Sequence, residues 1–151
     1  MAEGVFQHLT KSSPTPHPQI SHIDSCGTGA YHVGDPPDPR TGSTLEDHGI
    51  TTYRHSARKV QPADFTRFDY IFAMDRMNLE DLMQLRRREA KKHGEEKMAR
   101  VMLWGDMGGK KGEEVEDPYY GGRDGFEIAY EQMIRFSNGF LKYLEDKEEK
   151  A

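Results

Sequence analysis

The chain has 151 residues, a length typical of one globular domain. Its formal net charge of −5 argues against nonspecific nucleic-acid binding, because such binding neutralises phosphates with lysine and arginine. No apolar run reaches the length of a membrane-spanning helix, and the single cysteine, Cys26, fits a reducing, cytoplasmic setting. We therefore expect one domain over residues 1–151 that binds neither nucleic acid nor membrane.

The first half of the chain predicts a helix, a short strand and a second helix. Val5, Phe6 and Leu9 recur at the spacing of a buried helix face near the N-terminus. Residues 20–25 contain two isoleucines, Ile20 and Ile23, and are followed by Gly27 and Gly29, which indicates a short strand. Pro39 suits the first position of a short helix, because its missing N–H has no partner there in any case.

The second half continues the alternation of strands and helices. We predict strands over 70–74 and 100–106, with a helix over about 76–92 between them. The basic run within that helix is interpreted as a solvated face. A capping-box-like pair starts a last helix at Asp124. Alternating strands and helices indicate an α/β domain around a parallel sheet.

One loop carries a concentrated set of polar and aromatic side chains. In "EDPYYGG", Asp117 is held by the following proline and precedes Tyr119 and Tyr120. By itself this stretch predicts an exposed turn, because Asp-Pro and Gly-Gly are ordinary turn pairs. Ligands of open parallel sheets bind outside the carboxyl ends of the strands, so the loops after residues 25, 74 and 104 should border the site.

The sequence offers little support for a cysteine nucleophile or for a metal site. A phosphatase nucleophile needs a phosphate-binding loop closed by an arginine six positions after the cysteine, whereas Cys26 is followed at that distance by His32. We interpret Cys26 as a small, partly buried side chain at a strand end. The seven histidines show no paired ligand spacing, so we predict no metal site.

Five segments together resemble the low-molecular-weight protein tyrosine phosphatases, in the order and spacing of that family. They are "GTGAYHVGDPPDPRT", "HGI…HSARKV", "DFTRFDYIFAMDRMNLEDL", "EDPYYGG" and "GFEIAYEQM". The resemblance implies a three-layer α/β domain with a parallel sheet flanked by helices. It also implies hydrolysis of a phosphotyrosine protein or small aryl phosphate through a cysteinyl-phosphate, with no metal or organic cofactor. The sequence gives no prediction of the oligomeric state.

The resemblance also implies roles for the side chains that would surround a substrate. Asp117 matches the general acid and base of the family. Tyr119 and Tyr120 match aromatics at the mouth of the cleft, and Tyr31 matches a variable aromatic wall. The tyrosine pair favours phosphotyrosine chemistry over the phosphoarginine branch of the same fold.

Three further residues match supporting positions in the family. Ser25 and His55 match side chains that brace the phosphate loop, and Asp75 matches a structural carboxylate after a strand. The residues alone allow plainer interpretations, namely a strand-end serine, a surface histidine and a helix cap.

The family places a short strand and a C-x-x-x-x-x-R-S-P loop directly before the stretch that resembles "MAEGVF". Residues 1–151 contain neither, so we expect an N-terminally truncated domain without its first central strand and without phosphatase activity of its own. Leu, Ile, Val and Phe make up only about 17% of the residues, which agrees with a lost apolar strand. The alternatives are a non-catalytic binding or regulatory relative and a gene-model truncation.

Overall fold

The computed structural model describes residues 1–11, 20–29, 39–51, 58–115 and 123–150. Its elements in chain order are α1 (Ala2–Lys11), α2 (Pro39–Asp47), α3 (Asp64–Arg67), β1 (Tyr70–Ala73), α4 (Arg76–His93), a 3₁₀ turn (Glu95–Lys97), β2 (Arg100–Leu103), a second 3₁₀ turn (Trp104–Gly108) and α5 (Arg123–Lys150). Among these ranges, none of the helices is both long and apolar enough to cross a membrane.

The two strands form a parallel sheet that is joined through α4. Tyr70 lies opposite Arg100, and Ala73 lies opposite Leu103 at the other end of the pairing. A strand, a crossover helix and a parallel strand make the βαβ unit predicted from the alternating pattern. The predicted strand over 70–74 and the helix over 76–92 are thus confirmed, each to within one residue.

Alternate side chains of β1 enter two separate apolar clusters. Ile71 and Ala73 pack in one cluster with Leu82 of α4. Tyr70 and Phe72 point the other way and pack against a second cluster, which contains side chains of α1 and α5. Because successive side chains of a strand lie on opposite faces, helices cover both faces of the sheet. The three-layer α/β fold expected from the sequence is confirmed.

The cluster on the α1 and α5 face is rich in aromatic rings. The ring centroids of Phe72 and Trp104 lie 4.7 Å apart, and those of Phe72 and Phe140 lie 4.8 Å apart. Phe6 of α1 meets Trp104 edge to face at 5.9 Å. Phe136 of α5 is fully buried in the same cluster. This aromatic core fixes the position of α1 on the sheet and on α5.

The predicted strand over 20–25 does not form. Ile20 and Ile23 both pack against the aromatic core although they lie three residues apart, whereas a regular strand would bury every second residue. Parallel pairing of this segment is limited to one bridge between Gly27 and Lys59. The Gly27 N–H donates to the Arg58 carbonyl at 2.8 Å, which is half of that bridge.

The strand predicted over 100–106 ends early. Its ladder stops at Leu103, and the chain turns at Trp104 into the 3₁₀ turn. Trp104 is buried in the aromatic core. The strand therefore ends where this side chain packs into the core, and not at an exposed turn. The last helix begins at Arg123, one residue before the predicted start.

Gly105 makes a close backbone contact that leads to our first prediction. A Cβ atom at this position would lie 1.9 Å from the carbonyl oxygen of Glu113. Gly105→Ala should therefore lower the free energy of unfolding, by about 1–3 kcal/mol as expected for overpacking. Chemical denaturation monitored by circular dichroism measures this. Gly42→Ala is the matched control, since its Cβ would meet nothing within 4 Å and alanine favours the helix. Equal stability of the two variants would contradict the close contact.

Candidate active site

The structure describes two of the seven predicted site residues, Ser25 and Asp75. The remaining five lie outside the described residues, and these are Tyr31, His55, Asp117, Tyr119 and Tyr120. The described residues on either side of 30–38, 52–57 and 116–122 make the contacts that follow.

Val115, the last described residue before the segment that contains Asp117, lies at the carboxyl end of β1. The Val115 N–H donates to the Met74 carbonyl at 2.8 Å, directly after the strand. The Arg76 N–H at the start of α4 donates to the Glu114 carboxylate at 2.9 Å. The segment that enters the "EDPYYGG" loop is thus held at the edge of the sheet where parallel α/β proteins bind ligands.

An ion pair ties the same segment to α5. The Arg135 guanidinium donates to both carboxylate oxygens of Glu113, at 2.9 and 2.6 Å. It also donates to the Gly108 carbonyl at 2.9 Å, while Gln132 donates to Glu113 at 3.1 Å. The Arg135 hydrogen bonds hold the pKa of Glu113 below its ordinary value, so the pair stays ionised at neutral pH. The chain is therefore fixed to α5 shortly before residue 116.

Asp75 caps α4. Its carboxylate accepts a hydrogen bond from the Asn78 N–H at 2.7 Å, and its backbone is extended, as in an ordinary N-cap. The structure thus supports the plainer interpretation of this residue, a helix cap after β1. A cap of this kind also fixes the start of α4 beside the Glu114 contact.

Ser25 lies against the first turn of α1. Its hydroxyl donates to the Glu3 carboxylate at 2.9 Å, and Gln7 donates to the other carboxylate oxygen at 3.3 Å. Glu3 is only 5% exposed, so these hydrogen bonds satisfy a buried charge. Burial lowers the pKa of the Met1 α-amine, and the negative charge of Glu3 opposes this shift. Ser25 thus connects the segment before residue 30 with the N-terminal end of α1.

An ionic network that was not predicted from the sequence lies beside this segment. Arg58 donates to Asp24 at 2.9 Å and to both oxygens of Asp64 at 2.9 and 3.2 Å. Asp64 is 5% exposed and also accepts from the Gln61 N–H at 2.7 Å. These hydrogen bonds raise the pKa of Arg58 above its ordinary value. The network therefore fixes Arg58, the first described residue after 52–57.

Cys26 is exposed, which corrects the expectation of a partly buried side chain at a strand end. Loss of hydration raises the pKa of its thiol despite that exposure. Arg58 opposes the shift, whereas Asp64 and Asp24 add to it. A nucleophilic cysteine needs a lowered pKa, so the surroundings of Cys26 keep the thiol protonated at neutral pH.

A histidine joins the end of α2 to α5. The His48 ring stacks on Tyr130, with centroids 3.7 Å apart and planes at 11°, and its Nε2 lies 2.8 Å from the Glu127 carboxylate. Burial and then the Glu127 charge raise the pKa of Tyr130. Gly49 ends α2 with a φ of 82°, which lets the chain turn directly after His48. This contact therefore fixes the end of α2 on α5.

The described ranges contain no group of three or more His, Cys, Asp or Glu side chains that could hold a metal ion. The described contacts instead fix the chain at several points, one of which, the Val115–Met74 hydrogen bond, lies at the carboxyl end of β1. Hydrogen bonds from Val115, Ser25 and Arg58 hold segments adjacent to the predicted substrate residues. Long-range contacts of this kind have no local sequence signal, and an acidic residue in the first turn of α1 was the only hint of the Glu3 contact.

Comparisons with known proteins identify what this arrangement is similar to. The family profile described as "Low molecular weight phosphotyrosine protein phosphatase" matches residues 1–150. The protein of that name from Schizosaccharomyces pombe is 44% identical over 145 residues, covering 95% of this chain and 87% of the relative. The one from Gallus gallus is 39% identical over 142 residues, covering 94% and 85%. The crystal structure of a drosophila arginine phosphatase superposes with a TM-score of 0.81 at 34% identity, covering 95% of this chain and 87% of the other.

Proposed function

The chain belongs to the low molecular weight phosphotyrosine protein phosphatase family, and from this membership we propose that it carries the acid and the cleft of a phosphomonoester hydrolase. The observation that supports this most directly is the hydrogen bond from Val115 to Met74, which holds the residue two positions before Asp117 at the carboxyl end of β1. That is where the general acid of such a site would be required.

In this proposal Asp117 protonates the phenolic oxygen as the phosphate ester bond breaks, and later activates water as a base. The phenol of tyrosine has a pKa of about 10, so it leaves poorly as an anion and needs the proton. Tyr119, Tyr120 and Tyr31 would line the cleft around the substrate ring. Ser25 and His55 would brace the adjoining loop, with Ser25 acting through its hydrogen bond to Glu3.

The nucleophile is the missing part within residues 1–151. Cys26 has no arginine six positions later, and its thiol pKa is raised rather than lowered. We therefore propose that a central strand and a phosphate-binding C-x-x-x-x-x-R loop are absent from residues 1–151, and that this chain does not hydrolyse phosphate esters by itself. A non-catalytic binding or regulatory module that retains the tyrosine-lined cleft is the second candidate.

Phosphotyrosine in proteins is the proposed substrate class of a complete site. The tyrosine pair at 119 and 120 offers faces for a phenyl ring, and offset or edge contacts between aromatic rings stabilise such a complex. The similarity to an arginine phosphatase makes phosphoarginine the appropriate competitor in any test of specificity. The single cysteine also leads us to propose a reducing compartment, the cytoplasm, for this chain.

Purified chain 1–151 is expected to hydrolyse a small aryl phosphate no faster than a protein-free blank. The reason is that Cys26, the single cysteine, has a raised thiol pKa and no arginine six positions after it. A phosphate-release assay compares the chain with its Cys26→Ser variant. Turnover that Cys26→Ser abolishes would make Cys26 the nucleophile, and turnover that survives it would require another mechanism. Either result would contradict the proposal.

A further inference from the structure

An open groove that the proposed function does not use lies between the C-terminal half of α4 and Pro62. Its volume is about 440 Å³ and its lining is mainly apolar, although cationic side chains border it. The lining residues are Pro62, Leu85, Arg88, Glu89, Lys91 and Lys92. Leu85 belongs to the cluster between α4 and the sheet, so the floor of the groove is a continuation of the protein core.

The cations at this groove are largely uncompensated. Glu89 is only 8% exposed, and its carboxylate lies 3.5 Å from the Lys92 ammonium. Arg88 and Lys91 are both exposed, and neither has an ion-pair partner among the described residues. By contrast, Arg86, two residues before Arg88, donates to the Ala99 carbonyl and pairs with Glu95.

From these observations we propose that the α4 groove is a docking site for an acidic peptide segment that carries an apolar side chain. The apolar side chain would cover Leu85 and Pro62 in the groove. Carboxylates on either side of it would pair with Arg88 and Lys91, which otherwise repel each other along one side of the helix. The apolar side chain of the peptide matches the apolar floor of the groove, and its carboxylates match the positive rim.

The surroundings favour a peptide over a membrane or a nucleic acid. The exposed Glu95 and Glu96 follow directly after α4, and the whole chain carries a net charge of −5. An extended anionic surface would meet those negative charges, whereas a short peptide would contact only the groove. The lining of the groove contains none of the residues proposed for catalysis or substrate binding, so the test does not depend on catalysis.

The experiment measures fluorescence anisotropy of two labelled peptides with the complete chain. One consists of Glu-Glu-Leu repeats, and the other has serine in place of each leucine. The test variant carries Arg88→Gln, Lys91→Gln and Lys92→Gln. The matched control removes three exposed lysines elsewhere, with Lys110→Gln, Lys111→Gln and Lys142→Gln. Circular dichroism verifies that both variants fold, and the comparison of the two peptides needs only the unmodified chain.

We expect the leucine peptide to bind at low salt, and the test variant to bind it about tenfold more weakly, since exposed ion pairs contribute modestly each. The serine peptide should bind several times more weakly to the unmodified chain, and raised salt should weaken both. The control variant should retain most of the binding. The proposal is wrong if neither peptide binds, if both bind equally, or if the control variant weakens binding as much. Binding of phosphatidylserine vesicles without peptide binding would assign the groove to lipid instead.

Discussion

Asp117→Ala should lower turnover about 10²- to 10⁴-fold for substrates with poor leaving groups. The experiment uses a fusion in which a strand and C-x-x-x-x-x-R-S-P loop of the family precede Met1. Proton donation matters most where the leaving oxygen has a high pKa, as in phosphotyrosine. Substrates whose leaving groups have low pKa values should be affected much less, because they depart as anions. Steady-state kinetics over a series of aryl phosphates measure the difference.

Two control variants separate proton donation from other effects. Asp81→Ala removes an exposed carboxylate on α4 and should leave turnover unchanged for every leaving group. Tyr120→Ala should raise KM more than it lowers kcat, because a side chain that stacks on the substrate contributes to binding. If Asp117→Ala leaves the whole series unaffected in an active fusion, residues 116–122 form only a turn and the acid lies elsewhere.

Phe136→Ala is expected to destabilise the protein by about 3–5 kcal/mol, the usual cost of removing a fully buried phenyl ring. Phe136 is 0% exposed, and its ring lies 6.4 Å from Trp104 and beneath the Arg135 guanidinium. Since a domain is stable by about 5–15 kcal/mol, this one change removes a large part of the total. Urea denaturation followed by circular dichroism gives the free energy of unfolding.

Ile128→Ala on the same helix is the matched control. Ile128 is 59% exposed, so its removal should change stability by about 0.5 kcal/mol or less. Equal losses for the two variants would show that the aromatic core does not hold α5 on the sheet.

Helices and strands were predictable where the local spacing of apolar residues matched the face that the element buries. The helices at α1, α4 and α5 each have apolar residues at helical spacing, and β1 is a short apolar run between turn signals. The prediction failed at residues 20–25, because two isoleucines pack against the aromatic core without strand alternation. It also failed at Trp104, where burial of one large ring ends the strand.

The site was predictable only as far as local chemistry defines it. Asp75 was correctly considered as a helix cap, since capping depends on residues three positions apart. The Arg58 network was missed because it joins Asp24 to Asp64 across forty residues of sequence. The partner of Ser25, Glu3, lies 22 positions away and could not be deduced from spacing. The roles of Tyr31, His55, Asp117, Tyr119 and Tyr120 stay predictions.

The most direct test of the proposed function is phosphotyrosyl-peptide hydrolysis by the fusion with the added strand and loop. We predict turnover by the fusion, no turnover by chain 1–151, and complete loss when the cysteine of the added loop is replaced by serine. The fusion should also prefer the phosphotyrosyl peptide to a phosphoarginyl peptide. A folded fusion that hydrolyses neither peptide would contradict the proposal that residues 1–151 supply the acid and the cleft of a phosphatase.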